Sequence, residues 1–341
     1  MRAQLRTLLV VGLALALLVW FLRHANLASV WTEFREGRVD FLVLALLATG
    51  STYVLRAFRW QYLLLPLGTP HFVTCLKTTV IGFAASTLLP ARAGEVIRPY
   101  LLAKHEGFSP TATFASIVIE RLLDLLAVLF LFASFVVWFS AGLTTTDPTI
   151  YSALKVGGLT AFAATLVGLG LMMLVAGHPE RLERWALNIE RVLPARLAVI
   201  VARLVRSFVE GLAVVRQPRR MAVAMVLSFP LWLSIALGIW ATSRAFHIDM
   251  LFPGAFLMMT ILVVGVAVPT PGAVGGFHEA FRIGATVFFA TPNDRAVSAA
   301  IVLHAMSFVP VTIAGSILMA REGLSLSTAR GLAARTPDEE V

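Results

Sequence analysis

The chain has 341 residues, of which 58% are apolar and only 14% charged, with a single cysteine and a formal net charge of +9. Soluble domains carry about a quarter charged residues, so this composition, with a mean hydropathy of +0.85, excludes a soluble domain and describes a polytopic membrane protein. The lone Cys75 excludes an internal disulfide and a cysteine metal cluster. The basic excess comes without any nucleic-acid-binding motif, so it marks cytoplasmic loops and anionic headgroups rather than nucleic acid.

Uncharged runs able to cross ~30 Å of hydrocarbon place the helices. The first is Thr7 to Leu22, bounded by Arg6 and Arg23. It reads as a retained helix rather than a signal peptide, because the cleavage pattern around Ala25 to Ala28 is weak and further spans follow. Phe41 to Leu55 is next, ended by Arg56-Ala57-Phe58-Arg59-Trp60. Two arginines one turn apart beside a tryptophan read either as an interfacial anchor or as a phosphodiester clamp at the cytoplasmic mouth. Thr78 to Ala91 is too short to cross comfortably and ends at Pro90, which predicts a re-entrant arm. Then come Leu125 to Thr146, Val156 to Gly177, Met221 to Ser243, Met250 to Phe277 and Ala296 to Ala320.

Arginine bias gives the orientation. Nine arginines against three glutamates lie between Arg181 and Arg220, so the linker 178–220 is expected in the cytoplasm, part of it as an interfacial helix. Gly142 to Tyr151 holds one acid and no base, which suits the outer side. Counting crossings from that anchor leaves the C-terminus cytoplasmic. It also enters the stretch around Pro90 from inside and the stretch around Pro269 from outside. About fifty residues separate Phe41 from Arg92 and Met221 from Gly272, and a long helix follows each break. Helix, broken hairpin, helix, repeated with opposite topology, is the plan of carriers whose site lies near the midplane. The expected fold is therefore all-α, with about eight transmembrane elements and two opposed broken or re-entrant hairpins in an inverted repeat. The expected organisation is one membrane domain over 1–325, with repeats at about 40–140 and 221–320, and a polar tail over 326–341.

The candidate site residues gather at these breaks. Leu89-Pro90-Ala91-Arg92-Ala93-Gly94-Glu95 is followed by Arg98, and Glu120, Arg121 and Asp124 open the next helix. Ionisable groups at membrane depth cost roughly 2.5 to 3.5 kcal/mol each on insertion scales, so they face a bundle interior and mark a path or a lock of salt bridges. Read functionally, Arg92, Arg98 and Arg121 are guanidinium forks for a phosphate, and Glu95 or Asp124 is a proton or cation site. The second break, Pro269-Thr270-Pro271-Gly272-Ala273-Val274-Gly275-Gly276-Phe277-His278-Glu279, has glycines that let backbone approach a ligand or a neighbouring helix.

Four motifs in this order, Arg56-x-x-Arg59-Trp60, Leu89-Pro90-x-Arg92-x-Gly94-Glu95-x-x-Arg98, Glu120-Arg121-x-x-Asp124, and Pro269-x-Pro271-Gly272-x-x-Gly275 with Glu279, resemble the signature of a flippase-like family. That family is named after the transmembrane region of lysylphosphatidylglycerol synthase. The resemblance covers roughly residues 5 to 322 and implies a multi-span bacterial inner-membrane protein that moves a lipid between leaflets. The implied substrate is an anionic or aminoacylated phospholipid or a polyprenyl-phosphate-type lipid. The further partners expected are a coupling proton or cation and a lipid-synthesis enzyme, with no cofactor. The best-known members carry a soluble aminoacyltransferase after the membrane region, whereas about 20 polar residues end this chain, so lysyl transfer is not expected.

Enzymatic readings find less support. No Walker, dinucleotide-binding or zinc-protease motif occurs, and the seven histidines give no ligand spacing. His304 and Ser307 share a helical face but lack the glycine-flanked turn of a nucleophile. Glu33, Glu36 and Asp40 would suit a membrane glycosyltransferase, yet Arg23, Arg35 and Arg38 neutralise them. A scaffold for such a transferase is the other alternative.

Overall fold

A computed structural model describes residues 26–89, 92–140, 143, 148–177, 217–267 and 270–323. Within them the protein is all-α, ten helices and no strand. The helix expected over Thr7 to Leu22, most of the basic linker, the tail, Pro90 and Pro269 lie outside the described residues.

A short helix α1 (Leu27–Arg35) is started by Asn26, whose Oδ1 accepts from the Ala28 and Ser29 N–H groups. Helix α2 (Val39–Leu64) runs two turns past the expected end at Leu55. Helices α3 (Phe72–Leu88) and α4 (Gly94–Glu106) form the first hairpin. Gly107, at φ +71°, ends α4, and Ser109 caps α5 (Pro110–Trp138), which has proline in its first turn. Helix α6 (Pro148–Gly177) packs on α5. The order then repeats: α7 (Pro218–Ala245), a second hairpin of α8 (Gly254–Ala267) and α9 (Gly276–Phe289) around the short 3₁₀ turn Pro271–Ala273, and α10 (Asn293–Arg321).

Five of these helices, α2, α5, α6, α7 and α10, are long and apolar enough to cross a membrane. Their outer faces agree: Val43, Leu47 and Val54 on α2, and Leu159, Leu166 and Val167 on α6, are exposed large apolar side chains, a surface that hydrocarbon solvates and water does not.

Helices α2 and α7 lie antiparallel along most of their length. The Arg38 N–H donates to the Ala245 carbonyl at 2.9 Å, Gly238 sits against Ala45 and Ala48, the Thr52 and Ser234 hydroxyls are 2.8 Å apart, and Arg59 reaches Ser228. Each pairing in the first set of four helices has its counterpart in the second: α3 packs on α10 as α8 packs on α5. The hairpins are closed by the same device. In the first, a Cβ on Gly94 would overlap the Gly82 carbonyl, and one on Gly82 would fall 2.7 Å from Arg98 Cβ. In the second, a Cβ on Gly265 would lie 2.6 Å from the Gly276 carbonyl oxygen and 2.5 Å from Ala280 Cβ. Only glycine permits backbones this close.

The two hairpin tips meet. Arg92, left-handed at φ +53°, donates from Nη2 to the Val266 carbonyl at 2.9 Å, and α3 touches the Pro271–Ala273 turn, where Gly272 lies beside Thr87. A Cβ on Gly272 would be 3.4 Å from Thr87 Cγ2, within reach of disulfide geometry. In a Cys75→Ser background, Thr87→Cys with Gly272→Cys is expected to lose both free thiols on mild oxidation and regain them with dithiothreitol. Thiols that stay free under oxidant would disprove the contact.

Candidate functional site

The membrane-depth charges form one buried cluster built from four helices. Glu120, on α5, is fully buried and is its hub. Arg98 of α4 grips it with both nitrogens, Nη1 to Oε1 at 2.8 Å and Nη2 to Oε2 at 3.2 Å, a bidentate fork. Arg56 of α2 donates from Nη1 to Glu120 at 3.3 Å and to Asp124 at 3.1 Å. Arg59 lies with Nη2 2.8 Å from Asp124 Oδ1, and its Nη1 donates to the Ser228 hydroxyl of α7 at 2.8 Å. Arg121 donates to Glu120 at 2.6 Å from the rim of the cluster, its side chain 41% exposed. Trp232 of α7 donates to the same Asp124 oxygen, Oδ1, at 3.0 Å.

Helical spacing explains the assembly. Arg56 and Arg59 lie three apart on α2, and Glu120 and Asp124 lie four apart on α5, so each pair shares a face and the faces meet. Aromatic rings line the arginines: the Arg98 guanidinium is 3.9 Å from the Trp60 ring centroid and that of Arg56 is 5.1 Å from Phe83. Trp60 is itself fixed by its indole N–H on Ser116 at 2.9 Å.

Charge does not balance in this cluster. Four guanidiniums face two carboxylates, leaving two positive charges. The Nε–H groups of Arg56, Arg59, Arg98 and Arg121 have no acceptor among the described residues. Buried donors are almost always satisfied, so these nitrogens are the cluster's open valences.

Several expectations need correction. Arg56 and Arg59 do not end a helix: α2 continues to Leu64, and both side chains are buried and held by Glu120 and Asp124. Glu95 and Arg98, three residues apart on α4, take different partners. Arg98 turns inward to Glu120, while Glu95 stays partly exposed, 3.9 Å from Arg92. Of the acids of the expected first outer loop, Glu33 binds Arg295 and Asp40 binds Arg38. His304 does not address Ser307. Its Nε2 lies 2.7 Å from the Gly272 carbonyl, and the Ser307 carbonyl accepts from Tyr53.

Among the second-hairpin candidates, Gly272 and Gly275 hold the left-handed backbone of the tip, at φ +59° and +88°, with Pro271 opening its turn. Glu279 sits one turn inside α9, both its oxygens engaged by Arg282, which also reaches Asn293. The arginine cluster is thus one site, and Glu279 belongs to a separate network. Sequence reasoning missed Ser228, Trp232, Arg282 and the His278–His304 ring pair, whose centroids are 4.4 Å apart. Two signals were present: a serine and a tryptophan four apart in an apolar helix, and an arginine three residues after Glu279.

Comparison with known proteins agrees with the family resemblance. At 25% identity over 369 residues, the chain resembles the glycosyltransferase AglD of Haloferax volcanii, with 98% of this chain matched but only 56% of the relative's length. A UPF0104 membrane protein of Methanothermobacter thermautotrophicus is 22% identical over 306 residues, covering 85% of both chains. One from Methanocaldococcus jannaschii is 23% identical over 307 residues, covering 82% of this chain and 88% of the relative. The model of the lysylphosphatidylglycerol synthase TM region matches residues 7–315, nearly the whole run of membrane helices, and the chain belongs to that family of multi-pass membrane proteins.

Proposed function

We propose that the protein is a lipid carrier, in which the arginine cluster receives the phosphate-bearing headgroup of a membrane lipid and the opposed hairpins pass it between leaflets. The observation that carries this reading is the buried cluster with two uncompensated positive charges and four open Nε–H groups. It starts one turn from a hairpin tip that touches the opposite tip. An arginine fork is suited to phosphate by shape and permanent charge, and broken helices meeting inside a bundle are the usual setting of a carrier site. Glu95, partly exposed beside Arg92 at the tip, is the acid we assign to a coupling proton or cation.

The AglD resemblance favours a second reading, membrane glycosyl transfer. Glu120, Asp124, Glu33 and Glu279 are each held by arginine, which supports the carrier, and Glu95 is the acid that either reading would have to use.

Purified protein in liposomes is expected to carry a fluorescent polyprenyl phosphate or anionic phospholipid across the bilayer without changing its mass, read by quenching with an external reductant. The oxidised Thr87→Cys/Gly272→Cys variant should stop this movement and dithiothreitol should restore it. Formation of a covalent product with an activated sugar or an aminoacyl-tRNA would replace the carrier reading with the transferase.

A further inference from the structure

From the charge count we infer that the site takes a phosphoryl group bearing two negative charges, a phosphomonoester, and discriminates against phosphodiester lipids and most strongly against aminoacylated ones. The assignment of a lipid rests on the carrier reading; the assignment of charge does not. Arg56, Arg59, Arg98 and Arg121 are ion-paired with Glu120 and Asp124, and Arg121 also lies within electrostatic reach of Glu95. The remaining residues in contact are neutral: Ser228 and Trp232 from α7, Trp60 from α2 and Phe83 from α3. Aromatic faces stabilise a cation but do not neutralise it.

In a poorly solvated place an unbalanced charge is costly, so the occupant that completes the site is the one that brings the missing charge. A phosphomonoester near neutral pH supplies about −1.5 to −2 with three acceptor oxygens. That matches both the two open charges and the unmet Nε–H donors. A phosphodiester supplies one charge and leaves one unmet. A lysyl ester of phosphatidylglycerol brings two ammonium groups with its single phosphate and adds to the excess it meets. The family's name therefore does not describe the headgroup for which this chain's cluster is built.

Access is through Arg121, the one arginine of the four at the rim. Glu95 acts on Arg121 from the hairpin tip, but it is also paired with Arg92, so Arg92 and Glu95 counted together leave the surplus unchanged. The other titratable groups near the cluster are Tyr53, whose ring edge meets Phe83, and the buried Cys75, both uncharged when protonated.

The test is equilibrium lipid binding, read by native mass spectrometry on full-length protein in a zwitterionic detergent. The ligands are a polyprenyl monophosphate, phosphatidylglycerol, lysylphosphatidylglycerol and inorganic phosphate. At pH 7.5 the monophosphate is expected to bind about tenfold or more tighter than phosphatidylglycerol, and lysylphosphatidylglycerol weakest. Lowering the pH through the second phosphate ionisation, near 6, removes one ligand charge and should erase most of the gap, while phosphatidylglycerol stays flat. Arg121→Gln lowers the surplus to one and should narrow the preference. Should that variant fold poorly, the wild-type headgroup series decides alone.

Equal binding of monophosphate and phosphatidylglycerol at every pH, or tightest binding of the lysyl lipid, overturns the inference. Inorganic phosphate that competes as strongly as the lipid monophosphate would keep the charge assignment and remove the lipid from the proposed function.

Discussion

Glu120→Ala is expected to abolish most folded protein. Its carboxylate accepts from Arg98, Arg56 and Arg121, with Arg59 3.9 Å away, and no part of it reaches solvent. Removing the anion leaves four guanidiniums facing Asp124 alone. Breaking a buried pair typically costs 3 to 5 kcal/mol because the surviving charge has no water to return to. Against a total stability of about 5 to 15 kcal/mol, that is enough to empty the monodisperse peak in fluorescence-detected size exclusion. Glu120→Gln, which keeps the volume and one acceptor, should fall between. Asp124→Asn should cost less, since it removes only the partner of Arg56, Arg59 and Trp232. Arg98→Gln combined with Glu120→Gln should recover part of the loss, because contacting residues are not additive. Full additivity, or a normal melting curve for Glu120→Ala, would show that the cluster does not hold α2, α4 and α5 together.

Gly94→Ala should be the most damaging single added methyl among the described glycines. The added carbon lands on the Gly82 carbonyl and on the Ser86 hydroxyl, and backbone cannot yield as a flexible side chain does. Overpacking usually costs about 1 to 3 kcal/mol, and relief here requires α3 and α4 to separate. Separation withdraws the tip, so transport is expected to fail more completely than stability does. Gly265→Ala should reproduce the defect in the second hairpin, milder if Ala280→Gly removes one of its two overlaps. Gly50→Ala is the control: nothing lies within 4 Å of that position, and alanine in an exposed helix is favoured by up to about 1 kcal/mol. Thermal melting in detergent ranks the four. A Gly94→Ala protein that melts with the wild type would mean the helices do not cross at this point.

Much of the architecture was legible because a bilayer imposes few options. Uncharged runs marked the long helices, and Pro90, Pro269 and the glycines after them marked both breaks. The cluster was legible as a list and illegible as a geometry. Arg56 and Arg59 looked terminal because two arginines interrupt an apolar run, and in the absence of a partner that is where they would sit. Their partners, Glu120 and Asp124, are more than sixty residues away, and only tertiary contact makes α2 continue to Leu64. Glu95 and Arg98 satisfied the i, i+3 rule, yet a buried acid on another helix outbid a local exposed one. Ser228 and Trp232 share a face at four-residue spacing in an apolar helix, a signal that gains meaning only once Arg59 and Asp124 are seen opposite them.

Two halves that match at their glycine crossings but differ at the residue beside each crossing are not interchangeable. Arg98 abuts Gly82 in the first hairpin, and Ala280 abuts Gly265 in the second. If a half-length ancestor once paired with its own copy in opposite orientation, every charge in the present cluster would have occurred twice around one axis. Such a dimer would have needed twice the counter-charge. Fusing the halves would have freed one of them to discard its arginine. Ancestry of this kind leaves a division of labour: one hairpin carries the charge chemistry, while the other is free to drift in sequence so long as its turn still fits the first.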